Sequence, residues 1–210
     1  WVTDQFRRSQ LSLSFLPLDG LNVPADTNER LQTPRGFMSK PHQAVFIAPE
    51  PTLLISTARI LDNQRLGIDF LPVLDSSSAH AHAPIVFVGY GIVDTGANMN
   101  DYAGIDVNNC IVLFLRGKPD HFKGTITHAD KVRIARQKGA VGYLTATGPV
   151  LSSYEMRRGV TGQPSAFYGL SPAPDSLPGA WISTSRAEQI IAGADHPNQE
   201  RLRNVQEQLN

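Results

Sequence analysis

The sequence has little cysteine, no long hydrophobic run and no excess of either charge. Cys110 is the only cysteine among 210 residues, which excludes an internal disulfide and leaves almost no basis for a zinc site built on thiolates. No apolar run approaches the roughly 20 residues that span a bilayer. The 19 basic and 19 acidic residues cancel, so no net field attracts nucleic acid. We expect neither a membrane span nor a nucleic-acid partner for this chain.

The first residues also lack the apolar stretch of a signal peptide. Because the chain begins with Trp1 rather than Met, we expect it to be a mature or excised piece, with any export signal outside it. Its 17 glycines and 15 prolines indicate many turns and short strands rather than long helices.

Residues 1–64 are predicted to form a flanking segment rich in strands and loops. The alternation LSLSFL, which begins at Leu11, favours a strand, and the apolar runs 44–48 and 52–61 favour two more. The Pro-, Asn- and Asp-rich stretch 17–41 is typical of a loop. We expect this segment to pack on the domain that follows it.

Beyond residue 64 the pattern alternates strands with helices. The apolar run 110–117 is typical of a strand buried on both faces, or on one face under an apolar cover. Thr127 or Asp130 is expected to cap the helix after it. Thr184 or Ser185 is expected to cap a later helix, with Glu188 at a capping-box position if Ser185 is the cap. The predicted elements in chain order are a connecting loop at 76–84, strands at 85–93 and 110–117, a helix at 130–139, strands at 140–147 and 177–183, a helix at 185–193 and a helical stripe in the tail 194–210.

An ordered set of short motifs between residues 84 and 144 resembles the protease-associated (PA) domain. The chain is most similar to the form inserted in bacterial zinc-dependent aminopeptidases, a family that includes the transferrin receptor and glutamate carboxypeptidase ectodomains. Asn109 stands where the family usually has the glycine of a Lys-Gly-Lys turn, and asparagine tolerates the left-handed backbone needed there. The motifs are Gly89-Tyr90-Gly91-Ile92, Asp101-Tyr102, Asp106-Val107, Arg116-Gly117, Lys131 with Ala135, and Gly139-Ala140.

The resemblance implies a strand-dominated α+β fold, a β-sandwich or open barrel with peripheral helices. It also implies a PA domain over 65–193, flanked by 1–64 and by a tail, 194–210. Such a module is non-catalytic and gates substrate access or binds peptide or protein beside the catalytic domain of its parent peptidase. The implied parent is secreted, periplasmic or on the cell surface, and the zinc belongs to its peptidase domain. No cofactor is expected in this chain.

Candidate catalytic and metal-binding residues in this chain favour structural explanations. His128-Ala129-Asp130 has the letters of a zinc motif, but it stands at a predicted helix start, where Asp130 caps and His128 lies on the surface. His80 and His82 could form two ligands on one side of an extended segment, although solvated loop histidines are the simpler interpretation. Cys110 opens an apolar strand and is expected to be a small buried residue. No metal site and no catalytic residue is therefore predicted.

Two loops are the candidate contact surface for substrate or partner, since loops on a rigid scaffold often carry recognition. They are the loops 94–109 and 118–128, and the candidate contact residues in and beside them are Tyr102, Arg116, His121 and Phe122. The loop 94–109 also carries oxygen ligands that calcium could use, but its spacing does not match an EF-hand, and turn-stabilising Asp and Asn side chains are the favoured explanation. The alternatives are a small metal-dependent hydrolase with an unrecognised site and a stand-alone adaptor domain.

Overall fold

The described part of the chain is built around one eight-stranded mixed sheet. The computed structural model describes residues 10–14, 52–56, 61–73, 76–77, 79–157, 159–164, 176–192 and 200–210. The strands are β1 (Gln10–Ser14), β2 (Thr52–Ser56), β3 (Leu61–Asn63), β4 (Phe70–Pro72), β5 (His80–Phe87), β6 (Val93–Asp94), β7 (Met99–Asn100), β8 (Ile111–Leu115), β9 (Gly142–Ala146) and β10 (Gly179–Ile182). The helices are α1 (His128–Gln137), α2 (Ser153–Arg157), α3 (Thr184–Ala192) and α4 (Glu200–Leu209). The strand-dominated α+β class expected from the sequence is confirmed.

The sheet runs in the order β3-β2-β1-β5-β8-β9-β10-β4, and β6 and β7 form a separate hairpin. Strands β5, β8, β9 and β10 pair in parallel, whereas the strands at both edges are antiparallel. Strand β5 takes part in both kinds of pairing: its first half pairs antiparallel with β1 and its second half pairs parallel with β8. The strand predicted from the polar-apolar alternation that begins at Leu11 is confirmed as β1.

The central strand β8 is buried on both faces, as its continuous apolar run predicts. Ile111, Leu113 and Leu115 point into a cluster with residues of α3 and α4, while Val112 and Phe114 point into a second cluster with residues of α1. All five residues of β8 are 0 % exposed. The helices therefore cover the parallel strands on two sides, which is the usual arrangement where parallel strands are buried.

Helix α1 begins at His128, two residues before the predicted start, and Thr127 is its cap. The Thr127 side chain accepts from the backbone of Asp130, and the Asp130 carboxylate accepts from the Thr127 backbone N–H at 3.0 Å, completing a capping box. The pKa of Asp130 is lowered to about 2, chiefly by the hydrogen bond from the Thr127 hydroxyl and then by Arg133. Gly139, at φ +89°, ends the helix in the left-handed conformation that glycine accepts without strain.

Three sequence expectations need correction. The stretch 76–84 was expected to be a connecting loop, but β5 already begins at His80, because β1 supplies its backbone partners from a distant part of the chain. The cap of α3 is Ser183 rather than Thr184 or Ser185, since the Ser183 hydroxyl accepts from the Arg186 N–H at 3.3 Å. His128 is half-buried rather than on the surface. The strand predicted at 44–48 lies outside the described residues.

Candidate functional site

A groove of about 600 Å³ lies between the end of β8, the start of α1 and the segment before α2. The loop 116–127 forms one wall of this groove, and the same loop carries three of the four predicted contact residues. We call this space the β8–α1 groove. Its lining residues include Phe114, Arg116, Lys118, Asp120, Phe122, Lys123, Ile126, His128, Lys131 and Glu155.

The base of the β8–α1 groove is aromatic. The rings of Phe114 and Tyr143 stack with their centroids 5.7 Å apart, and His128 packs against both, at 5.6 Å from Phe114 and 5.3 Å from Tyr143. The His128 Nε2 atom lies 3.3 Å from the Tyr143 hydroxyl. These rings hold one another in place beneath the groove: Phe114 is 0 % and Tyr143 1 % exposed, and only half-buried His128 reaches the surface.

Phe122 forms an apolar wall of the groove although only 3 % of it is exposed. The loop folds tightly over its ring: a Cβ added at Gly124 would lie 2.5 Å from the Phe122 Cζ atom. The Lys118 ammonium sits 5.5 Å from the centre of the same ring, in the arrangement of a cation–π contact. The Phe122 side chain therefore organises the loop and shapes the groove at the same time.

The rim of the groove carries charges of both signs. Arg116 pairs with Glu155 at 3.4 Å and lies over the Trp181 ring, 5.6 Å from its centroid. The second oxygen of Glu155 accepts from the backbone N–H and the hydroxyl of Ser152, each at 3.0 Å. Glu155 therefore joins the start of α2 to the end of β8.

Lys131 is a buried amine at the base of the groove. It is 3 % exposed, and its Nζ atom donates to the Leu115 carbonyl at 2.9 Å and to the Gly117 carbonyl. The Tyr90 and Phe114 rings each have their centroid 5.6 Å from this Nζ. Burial lowers the pKa of Lys131 to about 7, and the partly opposing attraction of Asp101 is smaller.

The glycine turn that follows β5 lies beside Lys131, because its Tyr90 ring contacts the Lys131 ammonium group. Gly89 and Gly91 have φ values of +57° and +70°, in the left-handed region that glycine adopts without strain. The Asp101 carboxylate accepts from the backbone N–H groups of Tyr90 at 3.1 Å and Ile92 at 2.9 Å. Burial nevertheless raises the pKa of Asp101. Asp101 therefore stabilises the turn, as a structural carboxylate.

The structure brings together three of the four predicted contact residues. Arg116 and Phe122 line the β8–α1 groove, and exposed His121 lies beside it, with its Nδ1 atom 2.9 Å from the Asn210 carbonyl oxygen. Tyr102 was expected on an exposed loop and is instead only 4 % exposed, packed in the cluster on the α1 side. Its apolar ring is drawn into that core, and burial raises the pKa of its hydroxyl. Whether these residues contact a partner stays a prediction.

The other candidate residues serve local structure. Asp94, Asn100 and Asp106 each accept a hydrogen bond from a backbone N–H two or three residues further on, which is the turn-stabilising role considered for the loop 94–109. Exposed His80 and His82 lie on one side of β5. Within the described ranges, no group of three or more His, Cys, Asp or Glu residues could hold a metal ion. Cys110 is half-buried rather than fully buried and precedes the first residue of β8.

Sequence reasoning missed Lys131 as a buried group. Its position three and four residues before Ile134 and Ala135 places it on the apolar face of α1, and this spacing was the available signal. It also missed Gln206 of α4, which is 3 % exposed. The Gln206 amide donates to the Tyr90 hydroxyl and the Val150 carbonyl and accepts from the Val150 N–H, which fixes α4 beside the glycine turn.

Comparison with known proteins identifies the family. The family model of the PA domain matches residues 81–190, which is 110 of the 210 residues. The chain belongs to the PA domain family. The matched range holds β8, α1, β9 and the whole β8–α1 groove of this PA domain.

The other comparisons are less informative about this PA domain. Among solved structures it is similar to an aminopeptidase from Aneurinibacillus sp. strain AM-1, with 23 % identity and a TM-score of 0.42. The match covers 66 % of this chain and 26 % of the aminopeptidase, so the chain spans about a quarter of that protein. No curated protein matches. None of the helices in the described ranges has the length and apolar character needed to cross a membrane.

Proposed function

We propose that this PA domain is a non-catalytic binding module that holds an extended peptide segment in the β8–α1 groove. The observation that carries the proposal is the groove itself, with half-buried Ile126 and His128 in its lining and a rim of charged side chains. Ligand sites are typically concave, largely apolar and supplied with a few placed polar groups. The groove meets this description within the part of the chain that matches the PA domain.

Two carboxylates at and near the groove have structural roles. Glu155 accepts hydrogen bonds from Ser152 and pairs with Arg116, and Asp101 accepts two backbone N–H groups. A general base needs a carboxylate or imidazole that is free to take a proton from substrate. These two carboxylates instead fix the backbone that surrounds the groove.

The biological setting follows from family membership and from the sequence resemblance. The proposed parent is a secreted, periplasmic or cell-surface zinc aminopeptidase in which residues 65–193 form the PA domain and residues 1–64 and 194–210 flank it. The catalytic domain is the first partner of this module, and peptide or protein substrate is the second. The groove would then shape which segments of a substrate reach the zinc site of the parent.

Backbone NMR of the 210-residue chain tests the binding function. The probe is a capped hexapeptide with one central phenylalanine, and we expect its addition to shift the amide signals of Gly117 and Gly124 but not that of Gly67. Phe122→Ala should weaken binding, while Leu66→Ala, which removes an exposed side chain outside the groove lining, should not. Thermal unfolding of both variants checks that each is folded.

Two results would overturn the proposal. The first is an absence of any shift at Gly117 and Gly124 with millimolar peptide. The second is robust turnover of aminoacyl-nitroanilides by this chain with added zinc, abolished by a chelator, because it would make the chain itself an enzyme.

A further inference from the structure

Some positive charges of the β8–α1 groove are neutralised by a neighbouring carboxylate and others are not. Arg116 faces Glu155, so this pair neutralises itself, and the Glu155 oxygens are engaged with Ser152 as well. What remains on the lining is exposed Lys118 and Lys123 against the single carboxylate of Asp120, while Lys131 is buried and its lowered pKa of about 7 leaves it only partly charged. The groove therefore keeps a positive excess although the whole chain has a formal net charge of zero.

Two lysines carry this excess at the rim. The Lys118 Nζ atom donates to the Gly124 carbonyl at 2.6 Å, and the Lys123 Nζ atom donates to the Asp120 carbonyl at 2.9 Å. These bonds hold the ammonium groups in position, but a neutral carbonyl does not cancel their charge. Within the described ranges neither lysine forms a salt bridge, so both can meet an incoming carboxylate.

An apolar surface lies directly beside this charge. Ile126 and His128 line the groove and are half-buried, whereas the Phe114 and Phe122 rings are buried beneath it. In an extended peptide, side chains two residues apart lie on one face and are separated by roughly 7 Å. One face of an extended peptide can therefore present an acidic side chain to the lysines and an apolar side chain to Ile126 and His128.

We propose that the groove prefers peptide segments in which an acidic residue lies two positions from an aromatic or large aliphatic residue. The acidic side chain meets Lys118 and Lys123, and the apolar side chain packs against Ile126 and His128. This inference rests on the proposed peptide-binding function and adds the chemical class of the ligand. Partially exposed charge pairs of this kind are weak individually and are screened by salt.

Two capped, fluorescein-labelled peptides test the preference on the 210-residue chain. One has glutamate two residues from phenylalanine, and the other has glutamine in place of that glutamate. At low salt we expect the glutamate peptide to bind about 5- to 10-fold more tightly, since two weak charge contacts together give an effect of this size. The preference should shrink at about 0.5 M salt, where the Debye length is only a few ångströms.

Matched variants assign the preference to the rim. Lys118→Gln combined with Lys123→Gln should bring the two affinities together, whereas Lys138→Gln, at the exposed C-terminal end of α1, should leave the preference intact. Equal affinity of the chain for the two peptides would overturn the acidic preference and leave the peptide-binding function standing. Failure of both peptides to bind would overturn the acidic preference and the peptide-binding function together.

Discussion

The buried amine of Lys131 offers the sharpest test of the structure. Lys131→Met keeps the length and most of the volume of the side chain but removes the ammonium group. In the wild type this group donates to the carbonyls of Leu115 and Gly117 from a position that is 3 % exposed. The variant therefore removes both the hydrogen bonds and the cost of burying a charge.

The sign of the pH dependence follows from the lowered pKa. Burial shifts the pKa of Lys131 from 10.5 to about 7 in the folded chain, with Arg116 adding to the shift and Asp101 and Glu155 opposing it. Between these two values the unfolded chain binds the proton and the folded chain does not. The free energy of unfolding must therefore rise with pH in this window, by up to about 1.4 kcal/mol for each pH unit.

Urea unfolding of the wild type and Lys131→Met at several pH values measures this effect. Relative to the variant, the wild type should gain about 2–3 kcal/mol between roughly pH 7 and roughly pH 9. Lys138→Met, at the exposed end of the same helix, controls for the loss of one positive charge. Groups that titrate in both proteins, such as Tyr90, cancel in the difference.

A flat difference between the two curves would refute the reasoning. It would mean that the folded chain keeps Lys131 protonated throughout this range, as an accessible lysine does. A difference that falls with pH would be a stronger contradiction, since it would require the folded state to raise the pKa.

Three further predictions concern stability. Thr127→Ala should cost about 1 kcal/mol by removing the cap of α1, and Thr127→Ser should restore most of it, as measured by urea unfolding. Gly179→Ala should destabilise the fold more than Gly67→Ala, as measured by thermal unfolding. The new Cβ at Gly179 meets the buried Tyr143 ring, a clash that costs about 1–3 kcal/mol, whereas at Gly67 only the positive φ opposes the change. Equal losses of stability would show that the Tyr143 ring can move aside. The pKa of Asp69 is held well below its usual range, first by the hydrogen bond from Arg65 and then by Arg186, so the Asp69 carboxylate stabilises the fold above about pH 4 and loses this effect on acidification. Asp69→Asn should lower the free energy of unfolding by about 2 kcal/mol at neutral pH. An acid-unfolding profile of the variant identical to that of the wild type would contradict this.

The elements predicted well are those whose signals are local. The apolar run of β8, the cap at Thr127 and the left-handed Asn109, at φ +55°, each depend on a few neighbouring residues. The first half of β5 was missed because its strand partner, β1, lies about seventy residues earlier in the chain. A histidine-alanine repeat has little preference for a strand until such a partner supplies its hydrogen bonds.

The candidate site was predicted only in outline. The loop 118–128 and Arg116 were chosen because they adjoin a rigid strand, and the structure places them around the groove. Aromatic residues in the loops were expected to be exposed, yet Tyr102 and Phe122 are almost fully buried. Apolar area drives such rings inward whenever the fold offers space, and that space is created by elements distant in sequence.

The pairing of β4 with β10 has a consequence for how this domain can be combined with others. It places Phe70 beside Ile182, and the Ser183 N–H donates to the Asp69 carbonyl at 2.9 Å, while Arg186 pairs with the Asp69 carboxylate at 3.2 Å. The two ends of a stretch of more than a hundred residues are thus held side by side. A unit of this shape can be spliced into a surface loop of a host protein without forcing the two sides of that loop apart.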